Sequence, residues 1–276
     1  MSYEDAFSIS PNPTLMVATP GIRGVLFKIR YCVKAKQGLS MIVGDVGLGK
    51  STLLRALHSE MAGRPNTITT LLPTARFPTA LGFLKRICDD LGVPRRKAGI
   101  DQQAELNQFL LEQERAGRTV VIFVDEAQLM DNEQLEMIRT MLNNETHTHK
   151  LVQFILAGQL SLVKRLKGPK LKALKSRIVA PCSVNPLNLE EAREMVQIRC
   201  DTWNLPNPFP APVFERMYQL TDGVPRLLLR LCALLVAMAE SSNLPITTAL
   251  VESVVADMEL PEEEESHDRE EAAATL

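Results

Sequence analysis

Within residues 41–52, MIVGDVGLGKST, Gly44, Gly49, Lys50 and Ser51 stand at the spacing G-x-x-x-x-G-K-[ST]. Glycines at such positions let backbone N–H groups converge on an anion that a side chain would push away. The lysine adds a point charge, and the hydroxyl offers an oxygen to a hydrated divalent ion. The expected ligand is a nucleoside triphosphate with magnesium, cradled by Gly44, Asp45, Val46, Gly47, Leu48, Gly49, Lys50, Ser51 and Thr52, with Lys50 on the β- and γ-phosphates. A second candidate lies 75 residues beyond that lysine, where the apolar run TVVIFV ends in Asp125 and Glu126. A carboxylate at the end of a central strand holds magnesium through its water shell, and the next one orients and deprotonates an attacking water. Asp125 with Ser51 is assigned to the metal, and Glu126 to the water. Gln159, where a further apolar run stops, either positions the water or caps a helix. Arg226 opens a helix from which a cation can reach back to the phosphates.

These residues need a scaffold of alternating strands and helices. Residues 39–43, 67–72, 119–124 and 151–157 are short apolar or β-branched runs, of the kind buried in a parallel sheet, and a fifth strand is expected near 178–184. Helical periodicity appears over 21–36, 52–61, 79–91, 102–116 (capped by Asp101) and 133–143. A helix starting at Thr52 aims its positive end at the anion. The proline-rich stretch 1–20 is expected to lack regular structure; it reads as an arm packed on the domain or, alternatively, as one that sets Phe7, Ile9 and Pro11 along one wall of an adenine pocket. From residue 189 onward the alternation stops, and 190–203, 212–220, 226–240 and 247–258 read as four helices.

The chain has 276 residues, 45% hydrophobic and 23% charged, which suits a folded protein with a large core. No apolar run is long enough for a membrane helix, and the first residues do not form a signal peptide, so a cytoplasmic protein is expected. Five scattered cysteines without a C-x-x-C pair read as reduced, packed thiols. His147 and His149 read as exposed loop residues, and His58 and His267 as unpartnered. Seven acids and a single arginine occupy residues 261–276, expected to be a disordered tail; the remainder carries 30 basic and 26 acidic side chains. Basic groups cluster at Arg95, Arg96 and Lys97, and in a single helical stretch over 162–177 that includes Lys164, Arg165 and Lys167. A solvated face is the ordinary reading of such charges; phosphate contacts on DNA are the alternative.

The succession FSISPNP, GDVGLGKST, IFVDEAQ, AGQ, KSRI and TDGVPRLL resembles the AAA+ ATPases. It is more specifically similar to the ATPase domain of the ExeA or general secretion pathway A family. That resemblance implies an α/β P-loop NTPase fold in three layers about a central parallel five-stranded sheet (21–188). A small all-α lid (189–260) follows, and an N-terminal arm (1–20) precedes the sheet domain. It implies ATP as the nucleotide, Gln159 as sensor 1, Arg177 as an arginine finger for a neighbouring subunit, and Arg226 as sensor 2. Ending in an acidic tail where the secretion proteins continue into a membrane helix, the chain also looks like the Mu B, TnsC and TniB type of transposition ATPase. The expectation is a ring or helical homo-oligomer that binds duplex DNA and acts with a transposase; the alternative is an ATPase of type II secretion or pilus assembly.

Overall fold

The computed structural model describes residues 2–258. Five parallel strands, β1 (Leu39–Val43), β2 (Thr67–Leu72), β3 (Thr119–Val124), β4 (Val152–Gly158) and β5 (Ile178–Ser183), form one sheet in the order β2-β3-β4-β1-β5. Helices α1 (Tyr3–Ala6) and α2 (Pro20–Lys34) precede β1. Between and after the strands come α3 (Lys50–Ala62), α4 (Ala80–Asp90), α5 (Gly99–Arg115), α6 (Asn132–Met141), α7 (Leu160–Leu166) and α8 (Lys172–Lys175). Last are α9 (Leu189–Thr202), α10 (Ala211–Thr221), α11 (Pro225–Ser242) and α12 (Thr248–Met258).

Side chains alternate across a strand, so each strand feeds two cores. Val120, Ile122 and Val124 of β3 pack with Phe83, Leu106 and Leu135 from α4, α5 and α6. Val121 and Phe123 pack on the opposite face with Ile29 of α2 and Leu53 and Leu57 of α3. The expected three layers are therefore present. Helices α9 to α12 build a separate core around Val196, Phe214, Leu228 and Val251.

The chain runs from β1 outward to β2 and then back through β3 and β4, past β1, to β5. The connections leaving the neighbouring strands β1 and β4 therefore run in opposite directions, to α3 on one face and α7 on the other. Such a reversal leaves a crevice beyond the carboxyl ends of the strands on either side. Val43 pairs with Gly158 and Val124 with Leu156, so β1, β3 and β4 all end at that crevice.

Three local expectations are corrected. Residues 1–20 contain α1 and a 3₁₀ turn at Pro13–Leu15, in which the Asn12 side chain accepts from the Thr14 amide at 3.0 Å. The basic stretch 162–177 is broken at Gly168 and Pro169 into α7, a 3₁₀ turn and α8, because proline cannot continue the hydrogen-bond ladder of α7. Asp101 lies within the first turn of α5, whose cap position is Ala98. The acidic stretch 261–276 and His267 lie outside the described residues.

Candidate functional site

The turn after β1 takes its shape from its glycines. Gly47 and Gly49 have φ of 85° and 87°, the left-handed region, and a Cβ on Gly44 would come within 2.6 Å of the Val184 carbonyl oxygen. Lys50 opens α3 and is only 8% exposed; its Nζ curls over the turn and donates to the Asp45 carbonyl oxygen at 2.6 Å. Burial holds its pKa below the usual lysine value, an effect opposed by Glu126 and Asp125. Leu53, Leu54 and Leu57 anchor α3 beneath the sheet, fixing its N-terminus against the turn.

Asp125 follows β3 and is buried. Its amide donates to Leu72 O, and its Oδ1 accepts from the Glu126 amide, both at 2.9 Å. Burial raises its carboxyl above the ordinary aspartate range, opposed by hydrogen bonds from the Ser51 side chain and the Glu126 backbone. The Ser51 hydroxyl and the Asp125 carboxylate thus face each other. Glu126 has φ 52° and ψ 36°, a left-handed conformation that costs a non-glycine residue about 1 kcal/mol or more and turns its side chain toward the crevice.

One pocket at this crevice is lined by Gly47, Lys50, Ser51, Glu126, Gln159 and Arg226. Gln159 stands at the N-cap position of α7 but makes no side-chain capping bond. Arg226, exposed at the start of α11, donates its amide to Gly47 O at 3.2 Å. Ile9, Pro11, Leu15, Met16 and Leu229 give the same pocket an apolar end, the surface an adenine ring requires. Phe7 does not join them: it is buried beside Tyr3 and Phe209 in the core of α9 to α12, 5.7 Å from the latter ring.

The donor set fits a magnesium nucleotide. The turn keeps its open shape because Gly44 carries no Cβ against Val184 O and Gly47 and Gly49 take positive φ. No group of three or more His, Cys, Asp or Glu side chains able to hold a metal occurs among the described residues. A divalent ion bound through Ser51, Asp125, water and phosphate oxygens matches the way magnesium is ordinarily held.

Two residues escaped the sequence reading. Gln128 donates through Nε2 to the Glu126 carboxylate and accepts through Oε1 from the Gln159 amide at 3.1 Å, tying the end of β3 to the end of β4. Its place in DEAQ was the available signal. Arg199 of α9 lines the pocket while buried, and nothing in its helical context advertises that.

Arg177 lies elsewhere. It precedes Ile178, which pairs with Leu39, at the end of β1 remote from the turn, about 15 Å away along the strand. Its guanidinium donates to Arg139 O at 2.6 Å.

The basic groups divide. Arg95 and Arg96 pair with Asp89 and Glu105 at 2.5 and 2.6 Å on the surface, while Arg165 donates to Gln128 O and Asn132 Oδ1, both at 3.0 Å. Lys97, Lys164 and Lys167 are exposed. His149 is half-buried with Nε2 2.8 Å from Glu114, and His58 lies 3.3 Å from Thr69 Oγ1 and edge-on to Phe123, so neither is the free histidine expected. All five cysteines are free and buried.

Residues 33–166 match the family model described as AAA domain. The chain is also 32% identical over 245 residues to general secretion pathway protein A of Aeromonas hydrophila. The chain belongs to the AAA+ ATPases. The match covers 87% of this AAA+ chain but 44% of the Aeromonas protein, less than half of that relative's length. Among solved structures, the Aeropyrum pernix ORC2 protein in ADPNP and ADP complexes superposes with a TM-score of 0.66 at 15% identity, covering 91% of this chain and 70% of that one. The A. pernix ORC1 protein in complex with DNA gives 0.66 at 15% identity, covering 94% and 71%. At such identities the likeness is one of fold: a P-loop α/β core with helices after it. No helix among the described residues is long and apolar enough to cross a membrane.

Proposed function

We propose that this AAA+ protein binds ATP with magnesium and hydrolyses it between subunits of a homo-oligomeric ring or filament. The observation that carries the reading is the convergence of Lys50, Ser51, Glu126, Gln159 and Arg226 on one pocket, with Asp125 behind it. Bound magnesium neutralises phosphate charge. The amides of Gly44 to Ser51 and Lys50 bind the phosphates, and Ser51 and Asp125 hold the ion. Glu126 accepts the proton of the attacking water, which Gln159 orients. Arg226 senses the phosphates from α11 within the subunit. Arg177, at the remote end of the sheet, serves the pocket of the next subunit, so turnover requires assembly. ATP turnover measured with and without magnesium, and across protein concentrations, tests this: a concentration-independent rate per subunit removes the shared site.

The partner we propose is duplex DNA, the assembly presenting it to a transposase. Lys164, Lys167, Lys170, Lys172 and Lys175 support this, standing exposed along α7, the 3₁₀ turn after it and α8. Phosphate contacts by lysine make affinity fall steeply with salt, so filter binding with and without ATP over a salt series is the test. A second reading is favoured by the similarity to general secretion pathway protein A: an ATPase working with a membrane partner in secretion or pilus assembly. A membrane protein co-purifying with the chain, and no DNA affinity in any nucleotide state, would select it.

A further inference from the structure

Arg199 is 7% exposed, yet no carboxylate forms an ion pair with it among the described residues. Its Nη1 donates instead to two backbone carbonyls of the N-terminal arm, Ala6 O at 2.8 Å and Ser8 O at 3.2 Å. Its Nε is buried and has no hydrogen-bond partner among the described residues. Burial lowers its pKa from the usual arginine value. An arginine held this way is an expensive means of packing a helix, since an apolar side chain of similar volume would avoid the desolvation of a charge. The carbonyls it grips sit immediately before Ile9, Ser10 and Pro11, which form one wall of the pocket together with Met195 and Leu229. Ile9 is 54% exposed, offering apolar surface to whatever fills that end.

We propose that Arg199 is a positioning residue that latches the arm over the base end of the nucleotide pocket, coupling closure of the arm to nucleotide occupancy. This rests on the reading of the pocket as an ATP site. Two arginines of the C-terminal helices reach that site: Arg226 of α11 touches the phosphate turn through Gly47, and Arg199 of α9 holds the arm that carries Ile9 and Pro11. Coupling of this kind is reciprocal: if the closed wall raises the affinity for the nucleotide, the nucleotide shifts the open–closed equilibrium of the wall toward closed by the same factor.

The test is hydrogen exchange of the amides of residues 8–10 with and without ADP, together with steady-state kinetics of Arg199→Met and Arg199→Lys. In the wild type ADP slows exchange at residues 8–10 as well as at the turn around Lys50. In Arg199→Met the arm exchanges rapidly in both states, and KM for ATP rises about tenfold, as loss of the charge-assisted hydrogen bonds to Ala6 O and Ser8 O implies, with kcat within about twofold. Arg199→Lys, which keeps the charge on a single donor nitrogen, falls between the two. Protection of the turn without protection of residues 8–10 in the wild type overturns the latch while leaving the ATP site intact, and this readout does not depend on any variant folding. A folded Arg199→Met protein with unchanged KM overturns it equally. If ADP protects neither segment, the ATP reading itself fails and the latch falls with it.

Discussion

The amide of Arg226 donates to the carbonyl oxygen of Gly47 at 3.2 Å, so the first turn of α11 rests on the tip of the phosphate-binding turn. A side chain on Gly47 would meet Val224 Cγ1 at 2.9 Å and Arg226 Cβ at 3.1 Å, and its φ of 85° disfavours any L-residue. Gly47→Ala should therefore destabilise the protein by about 1–2 kcal/mol from the backbone alone and loosen α11 from the turn. Thermal unfolding and nucleotide affinity check this; both should fall.

Among the described residues Lys50 bonds through Nζ only to its own turn, at Asp45 O, so removing it leaves the sheet core untouched. Lys50→Ala should keep the apo melting temperature within a few degrees and lose the rise that ATP gives the wild type. Differential scanning fluorimetry with and without nucleotide reads both. An undiminished ATP-dependent rise would remove Lys50 from the phosphates.

Asp125 supplies a pH signature. Its folded-state pKa is raised by burial, so in the metal-free protein ionisation of Asp125 opposes folding. That group's contribution to stability is fully present below the unfolded pKa and is lost as pH rises through the folded value. Metal-free Asp125→Asn should accordingly be at least as stable as the wild type at about pH 7, well above the ordinary aspartate value, and bind magnesium nucleotide poorly. In the wild type, affinity for magnesium nucleotide should fall on acidification at a higher pH than an exposed aspartate would give. Melting curves and nucleotide titrations over a pH series decide this; a metal-free Asp125→Asn protein markedly less stable than the wild type at neutral pH contradicts it.

Glu126→Gln should bind ATP normally and turn over about 10²- to 10⁴-fold more slowly, the range for a lost general base. The left-handed backbone at Glu126 places the substituted side chain where the acid was. Single-turnover hydrolysis separates binding from chemistry, and a normal rate would assign the base elsewhere.

Much of this site is written locally. The phosphate turn and the acid pair are legible because their chemistry needs particular residue types at short spacing, next to strands too apolar for a surface. The strand limits at 67–72 and 119–124 follow from β-branched runs bounded by polar residues. What was not legible depends on distant chain. Gln128 acquires its role only because β4 lies beside β3 and brings the Gln159 amide within reach. Arg199 is bonded to carbonyls more than 190 residues earlier. Phe7 was misplaced because the arm's aromatic residues are claimed by Phe209 and the α9 to α12 core, a competition that periodicity within the arm cannot reveal.

The central claim is that the pocket holding Lys50 is completed by Arg177 of a second copy, since Arg177 occupies the opposite end of the sheet within its own subunit. Arg177→Ala should retain nucleotide binding and lose about 10³ to 10⁵ in turnover, the usual worth of such an arginine. The most direct measurement is the ATPase rate of Arg177→Ala mixed with Lys50→Ala. Each is inactive alone, but in a mixed assembly an intact pocket of the first variant meets an intact arginine of the second. Turnover restored on mixing is the predicted result. A mixture as inactive as its components, or an Arg177→Ala protein that hydrolyses ATP at the wild-type rate, would contradict the account.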